Sequence, residues 1–141
     1  MDAARGFGGD VTLLYVVDVD TVAAMSGQVA LLGRSASLSA EDMLAVAGGT
    51  LIEAAKERLG KDAARMMRRG RPEREVVAAC AEADLLILAR DGDRSRLGPR
   101  SLGHATRFVV DHAPCQILLV WPESTPALST LPPVPPHDRM P

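Results

Sequence analysis

A loop rich in glycine and arginine, from Arg90 to Gly103, carries the residues of this chain that are best suited to chemistry. It follows an apolar run, Leu85 to Ala89, and leads into residues 103–112, which have a helical pattern. A strand that passes through a glycine-rich loop into a helix N-terminus presents free backbone N–H groups and the positive helix end to a phosphate. The pattern therefore predicts an anion site at the carboxyl end of this strand.

Some side chains of the same loop favour phosphate binding and others disfavour it. Groups that could neutralise or hydrogen-bond a phosphate are Arg94, Arg96, Arg100, Ser95 and Ser101. Asp91 and Asp93 would instead place negative charge beside a phosphate. The alternative is a solvated surface loop in which these arginines and aspartates pair with each other. A glycine-rich loop is a weak signal by itself, so the sequence leaves both interpretations open.

The elements that must position this loop alternate between strand and helix patterns. The β-branched apolar run from Val11 to Val17 is typical of a strand that is covered on both faces. The other predicted elements are a loop at residues 21–38, a helix at 40–59 with Ser39 as its N-cap, an edge strand at 63–69, a helix at 73–83, and the strands at 85–89 and 116–121 on either side of helix 103–112. This order predicts an α/β fold with a doubly wound, mostly parallel sheet and helices on both faces.

The bulk composition limits the classes of function. A length of 141 residues suggests one domain with a sizeable core, and a formal net charge of −2 gives no global attraction to nucleic acid or membrane. No apolar run approaches the ~20 residues of a membrane span, and no signal peptide is apparent, so we expect a cytoplasmic protein. Cys80 and Cys115 lie far apart in the sequence, outside any metal-ligand spacing, and we expect two reduced, buried thiols.

Two further segments have a distinctive composition. A basic cluster without interleaved aromatic residues consists of Arg65, Arg68, Arg69, Arg71 and Arg74. A solvated edge strand and turn explains it more simply than a nucleic-acid interface. From Glu123 to Pro141, Pro, Ser and Thr dominate, which predicts a disordered tail of polyproline character after a domain at residues 1–122. Such a tail can dock in an aromatic groove of a partner, but a plain solvated tail is the simpler interpretation.

Three stretches of the chain resemble the universal stress protein family. The longest, DLLILARDGDRSRLGPRSLGHATRFVVDHAPCQILLVWP at residues 84–122, is similar to the C-terminal half of that family. GGDVTLLYVVD resembles the family's second strand, and GRPEREVVAACAEADLLIL resembles its third helix and fourth strand. The resemblance covers residues 1–122 and implies the fold that universal stress proteins share with adenine nucleotide alpha hydrolases.

The resemblance also implies roles for individual residues. In that family a Gly-x-x-Gly, a spacer and a Gly-Ser or Gly-Thr pair cradle ATP phosphates. Carried over to this chain, the loop and helix-start positions are Ala89, Gly92, Gly103, His104 and Ala105. Val16 and Leu88 would flank an adenine, although ordinary strand core is the alternative for both. His104 could donate to a phosphate or remain a neutral imidazole beside the helix N-terminus.

The loop departs from the family pattern at three points. Ala89 stands where the first glycine is expected, and His104 replaces the Ser or Thr that follows Gly103. The spacer between Gly92 and Gly103 is one residue longer than usual. The family has members that bind nucleotide and members that do not, and these changes favour the second kind.

The beginning of the chain departs from the family pattern as well. The family opens with a strand that ends in a nucleoside-contacting Asp and continues into a helix, whereas residues 1–9 resemble only the end of that helix. The missing strand is the central one in the family's order 3-2-1-4-5. The second strand must then pair with the fourth, or a strand must be borrowed, or the chain is part of a longer product. We expect the last, an N-terminal truncation.

The resemblance implies a stress-responsive regulatory or binding protein. Its ligand would be ATP or another adenine nucleotide, held by the Gly92–Gly103 loop. The alternatives are a degenerate interaction module that binds no nucleotide, and an ATP-cleaving enzyme of the same superfamily. No motif places a catalytic or metal-binding residue, so slow ATP hydrolysis is the most that the resemblance implies. It also implies a homodimer through the strand from Gln116 to Trp121.

Overall fold

The computed structural model describes residues 2–31, 39–60 and 62–136 of the chain. Its strands are β1 (Val11–Asp18), β2 (Ala63–Gly70), β3 (Leu85–Ala89) and β4 (Gln116–Val120). Its helices are α1 (Asp2–Arg5), α2 (Val19–Leu31), α3 (Ala40–Leu59), α4 (Pro72–Ala79) and α5 (His104–His112). Short 3₁₀ turns lie at Cys80–Glu82, Pro99–Ser101 and Leu128–Thr130. The predicted α/β class is confirmed.

All strand pairing in the described residues is parallel, but the four strands form two separate sheets. β1 pairs with β2 along its whole length, with Tyr15 opposite Met67. β3 pairs with β4 in the same way, with Ile87 opposite Leu118. β1 and β3 do not pair with each other. Direct pairing between the strands that correspond to the second and fourth of the family order is therefore absent from this part of the chain.

Helices cover both faces of the β1–β2 pair. α3 packs against both strands, while α4 packs against the same two strands and against α5. α3 begins with a capping box, in which the Ser39 hydroxyl accepts from the Asp42 N–H and the Asp42 carboxylate accepts from the Ser39 N–H. It ends at Leu59 and is followed by the C-cap residue Gly60, whose φ of 69° is left-handed. Both signals are local, which explains why the bounds of this helix could be predicted from the sequence.

The prediction of a loop at residues 21–38 is wrong for residues 21–31, which are helical. α2 continues directly from β1 and occupies Val19–Leu31. Asp18 caps it, since its carboxylate accepts from the Asp20 N–H at 3.0 Å and from the Thr21 hydroxyl at 3.1 Å. One glycine costs a helix only about 1 kcal/mol, so Gly27 does not break α2. Residues 32–38 lie outside the described part of the chain.

The two cysteines meet in the fold. Cys80 begins the 3₁₀ turn that precedes β3, and Cys115 directly precedes β4, the neighbour of β3. Burial and a hydrogen bond with the Cys115 thiol raise the pKa of Cys80 from 9.0 to about 11. Both thiols are free, and Cys80 is 2% exposed while Cys115 is half-buried. The sequence placed neither thiol near the other, because the contact depends on the alignment of β3 with β4.

This raised pKa predicts a loss of stability at alkaline pH. Below pH 9 the Cys80 thiol is protonated in the folded and the unfolded chain. As the pH rises from 9 towards 11, the unfolded chain releases the proton first, so the free energy of unfolding falls. Urea unfolding at several pH values should show a steeper decline for the native chain than for Cys80→Ala. Parallel curves for the two proteins would contradict the assignment.

Candidate functional site

The candidate site is the loop that joins β3 to α5, residues 90–103. The Arg90 N–H donates to the Val120 carbonyl at 2.9 Å, which extends the pairing of β3 with β4 by one step before the loop leaves the sheet. The loop returns through the 3₁₀ turn at Pro99–Ser101 and enters α5 at Gly103, its N-cap residue. The loop thus starts at the carboxyl end of β3 and finishes at a helix N-terminus.

Both ends of the loop lie against each other around Gly92. Its N–H donates to the Ser101 carbonyl at 2.9 Å, and the Asp93 N–H donates to the Arg100 carbonyl at 2.8 Å. A Cβ atom on Gly92 would lie 2.9 Å from the carbonyl carbon of Ser101, so only glycine permits this approach. Two of the amides that the sequence offered to a phosphate are therefore already bonded within the loop.

A third amide is occupied by a side chain of the loop itself. The Asp91 carboxylate accepts a hydrogen bond from the Gly103 N–H at 2.7 Å. A Cβ atom on Gly103 would lie 2.8 Å from the other Asp91 oxygen, so this carboxylate sits directly over the start of α5. A negative charge at this position is stabilised by the positive end of the helix. Asp91 thus stands where a bound anion would stand.

The Arg90 side chain contacts both the returning part of the loop and the residue that follows β4. Its Nη1 donates to the Ser101 hydroxyl at 2.6 Å, and that hydroxyl donates to the Gly98 carbonyl at 2.6 Å. The guanidinium carbon lies 4.6 Å from the centre of the Trp121 ring. The Nε of Arg90 is buried and has no hydrogen-bond partner among the described residues. Ser101 is fully buried, so this cluster fixes the loop while leaving one donor of a cationic group unused.

Sequence reasoning assigned no site role to Arg90, placed Trp121 only in the strand of the expected dimer, and considered Ser101 only as a donor to a phosphate. One signal was available, because Arg90 directly follows β3 and Trp121 directly follows β4. Residues that leave neighbouring parallel strands in register are close in space.

Two further arginines of the loop form ion pairs within the chain. Arg94 pairs with Glu123 at 3.4 Å, and Arg96 pairs with Asp93 at 3.6 Å. The Ser95 hydroxyl and N–H both donate to Asp93 and lower the pKa of that carboxyl below its usual value. Arg96 and Asp93 therefore agree with the alternative of a solvated loop whose charges pair with each other.

The structure separates the predicted site residues into two places. The loop and its flanks hold six of them, which are Leu88, Ala89, Gly92, Gly103, His104 and Ala105. Val16 lies in β1 opposite Arg68, in the other sheet. Leu88 and Val16 are both half-buried strand residues. The two residues expected to flank an adenine thus lie in different sheets, Val16 in the β1–β2 sheet and Leu88 in the β3–β4 sheet. His104 is exposed at the first position of α5.

The beginning of the predicted tail contacts the loop. The Thr130 hydroxyl accepts from the Leu97 N–H at 3.0 Å and donates to the Ala127 carbonyl at 2.7 Å. Together with the pair between Arg94 and Glu123, this contact holds part of the segment that the sequence assigned to a disordered tail against the site. Residues 137–141 lie outside the described part.

Charged side chains elsewhere on the described surface form ion pairs within the chain. In the basic cluster, Arg68 pairs with Glu75 at 3.5 Å and Arg69 with Glu41 at 2.8 Å, which agrees with a solvated edge. His112 bonds the Phe108 carbonyl at 2.7 Å within α5, as expected for a helix end. No group of three or more His, Cys, Asp or Glu side chains that could hold a metal occurs in these residues. None of the helices seen here is long and apolar enough to cross a membrane.

Comparison with known proteins gives one family and two similar structures. The model of the universal stress protein family matches residues 1–120. The hypothetical protein MJ0577, solved as a test case for assigning biochemical function from structure, is 20% identical, with a TM-score of 0.63 over 88% of this chain and 86% of that chain. The universal stress protein UspA from Lactobacillus plantarum is 21% identical, with a TM-score of 0.60 over 84% of this chain and 82% of that chain. No curated protein sequence matches the chain.

Proposed function

Because the chain belongs to the universal stress protein family, we propose that it is a stress-responsive regulatory binding protein whose β3–α5 loop is closed by its own side chain. In this proposal adenine nucleotide is not a resident ligand, and the domain acts through contacts with other macromolecules. The observation that carries it is the hydrogen bond of 2.7 Å from the Gly103 N–H to Asp91. An internal carboxylate competes with any phosphate for the same helix end.

Two further observations support a closed loop. The amides of Gly92 and Asp93 are bonded to the returning part of the loop, so they are not available to a ligand without rearrangement. Arg96 is paired with Asp93, so its charge is partly neutralised. A phosphate that entered would meet the Asp91 charge at close range, and repulsion between like charges in a partly dry site amounts to a few kcal/mol.

ATP binding is the second candidate function, and one observation favours it. The buried Nε of Arg90 has no partner among the described residues, and the guanidinium lies beneath the loop. If Asp91 moved away, a phosphate could replace its carboxylate at the start of α5 and gain a cationic neighbour. The homodimer through the strand from Gln116 to Trp121 stays a prediction, for which β4 offers the edge that β3 does not use.

Replacing Asp91 decides between the two functions. We expect the native chain to bind MgATP weakly, and Asp91→Ala to bind it about tenfold more tightly, because the competing carboxylate is gone. Titration calorimetry with both proteins measures the change. Asp93→Ala is the matched control, since it removes a neighbouring carboxylate that is bound by Ser95 and not by the Gly103 N–H. Tight MgATP binding by the native chain, weakened by Asp91→Ala, would establish the nucleotide-binding alternative instead.

A further inference from the structure

The two thiols of the chain contact each other at the opposite end of β3 from the candidate site. Cys80 follows α4 and begins the 3₁₀ turn that leads into β3, and Cys115 lies in the turn between α5 and β4. Leu85 pairs with Gln116, so the amino ends of β3 and β4 are aligned and the turns that precede them are neighbours. The two thiols are free and share a hydrogen bond. They form a pair of nucleophilic groups that the candidate site does not use.

The two cysteines differ in their access to solvent. Cys80 is 2% exposed, whereas Cys115 is half-buried. Burial and the hydrogen bond with Cys115 raise the pKa of Cys80, so this thiol stays protonated at neutral pH. A thiol without solvent access and without thiolate character reacts slowly with a soluble oxidant. Such an oxidant therefore reacts first at Cys115, with the Cys80 thiol directly beside it.

The position of the pair favours a bond between the two sulfurs over irreversible oxidation. A sulfenic acid beside a second thiol condenses with it, whereas an isolated one is oxidised further to sulfinic acid. A disulfide needs the sulfurs to approach from hydrogen-bond contact to about 2.05 Å. Neither cysteine belongs to the strand ladder, which begins at Leu85 and Gln116. The two turns can therefore move together without breaking the pairing of β3 with β4.

We propose that Cys80 and Cys115 form a reversible disulfide when the chain reacts with hydrogen peroxide. In the first step the Cys115 sulfur attacks one peroxide oxygen and the O–O bond breaks. The products are a sulfenic acid at Cys115 and one water, which carries away the thiol proton. In the second step the Cys80 sulfur attacks the Cys115 sulfur, the S–O bond breaks, and the hydroxyl group leaves as water with the Cys80 proton. The two thiols together lose two electrons, which the peroxide gains.

The bond closes a covalent ring that contains the candidate site. The segment between the two cysteines consists of β3, the loop at residues 90–103, α5 and their flanking turns. A cross-link between the ends of this segment restricts the unfolded chain and so stabilises the folded one. Oxidation is therefore expected to make opening of the segment that carries the site less frequent. This inference goes beyond the proposed function, since it holds whether or not the loop binds nucleotide.

Treating the full chain with hydrogen peroxide tests the proposal. After treatment and denaturation the chain should fall from two free thiols to none. Trypsin cleaves after Arg90 and Arg107, so the two cysteines lie in different peptides, which should appear as one disulfide-linked pair. Adding dithiothreitol to the oxidised chain should separate the peptides and lower Tm by about 10 °C. Neither the thiol count nor the linked pair responds to oxidation of methionine.

Cys115→Ser is the matched control, because it removes the more exposed thiol and keeps Cys80. Peroxide should leave its Cys80 thiol free, and dithiothreitol should not change its Tm. Cys80→Ala should likewise form no linked pair, and each variant is compared with its own untreated sample because the substitution of a buried cysteine can lower stability. The proposal is overturned if the native chain keeps both thiols, if its disulfides join two chains, or if Cys115 gains oxygen without forming the linked pair. An equal dithiothreitol effect on Tm in Cys115→Ser would overturn it as well.

Discussion

Replacing Gly92 with alanine is expected to lower the free energy of unfolding by about 3 kcal/mol. The added Cβ would overlap the carbonyl oxygen of Arg100 and lie 2.9 Å from the carbonyl carbon of Ser101. Both are backbone atoms, so no side-chain rotation can relieve the contact. The segment at Gly92 and the returning segment at residues 100–101 must then move apart. This movement weakens the two backbone hydrogen bonds that join them.

Thermal and urea unfolding measure this change, and a loss of about 3 kcal/mol corresponds to a fall in Tm of roughly 6–12 °C for a chain of this size. Gly9→Ala is the control, because a Cβ at Gly9 meets nothing within 4 Å. That variant should stay within about 0.5 kcal/mol of the native chain. If Gly92→Ala were as stable as Gly9→Ala, the close approach of the two loop segments described here would be wrong.

The second large effect is expected at Gly48, in the middle of α3. Gly48 is buried against Tyr15 of β1, and a Cβ there would overlap the tyrosine ring, lying 2.8 Å from its Cγ. Alanine improves the helix propensity by about 1 kcal/mol, but the overlap outweighs this gain. We expect Gly48→Ala to destabilise the fold by about 2 kcal/mol.

The adjacent glycine provides a matched control for Gly48. A Cβ at Gly49 meets nothing within 4 Å, so Gly49→Ala should stabilise the chain by up to about 1 kcal/mol through propensity alone. A double-mutant cycle with Tyr15→Ala should show a coupling energy of about 1–3 kcal/mol for Gly48→Ala and none for Gly49→Ala. Equal effects of the two glycine substitutions would exclude the contact with Tyr15.

This pair of glycines shows the limit of propensity arguments. The sequence gives both the same cost in a helix, about 1 kcal/mol each relative to alanine. In the structure α3 continues through both of them, and only Gly48 faces a neighbouring ring. Which glycine is required depends on the side of the helix that meets β1, and that is a property of the packed fold.

The candidate site also has features that the sequence predicts and features that only the packed fold shows. The position of the loop between a strand and a helix followed from the sequence. An apolar strand, a glycine-rich segment and a helix start are each recognisable from local patterns. The closure of the loop by Asp91 did not, since a carboxylate beside a glycine-rich loop is equally compatible with solvent. Only the approach of the two loop ends brings Asp91 to the N–H of Gly103, which lies twelve positions farther along the chain.

By itself the sequence determined the parallel α/β class, the bounds of α3, the bounds of the strands to within one residue, and the resemblance to the universal stress protein family, which the family match confirms. These properties depend on residue periodicity, caps and turn residues, which act over a few positions. Tertiary structure alone decided the contact of Cys80 with Cys115 and the cluster of Arg90 with Ser101 and Trp121. Each of these joins residues that are distant in sequence, and their approach depends on strand alignment and helix packing that no local pattern specifies.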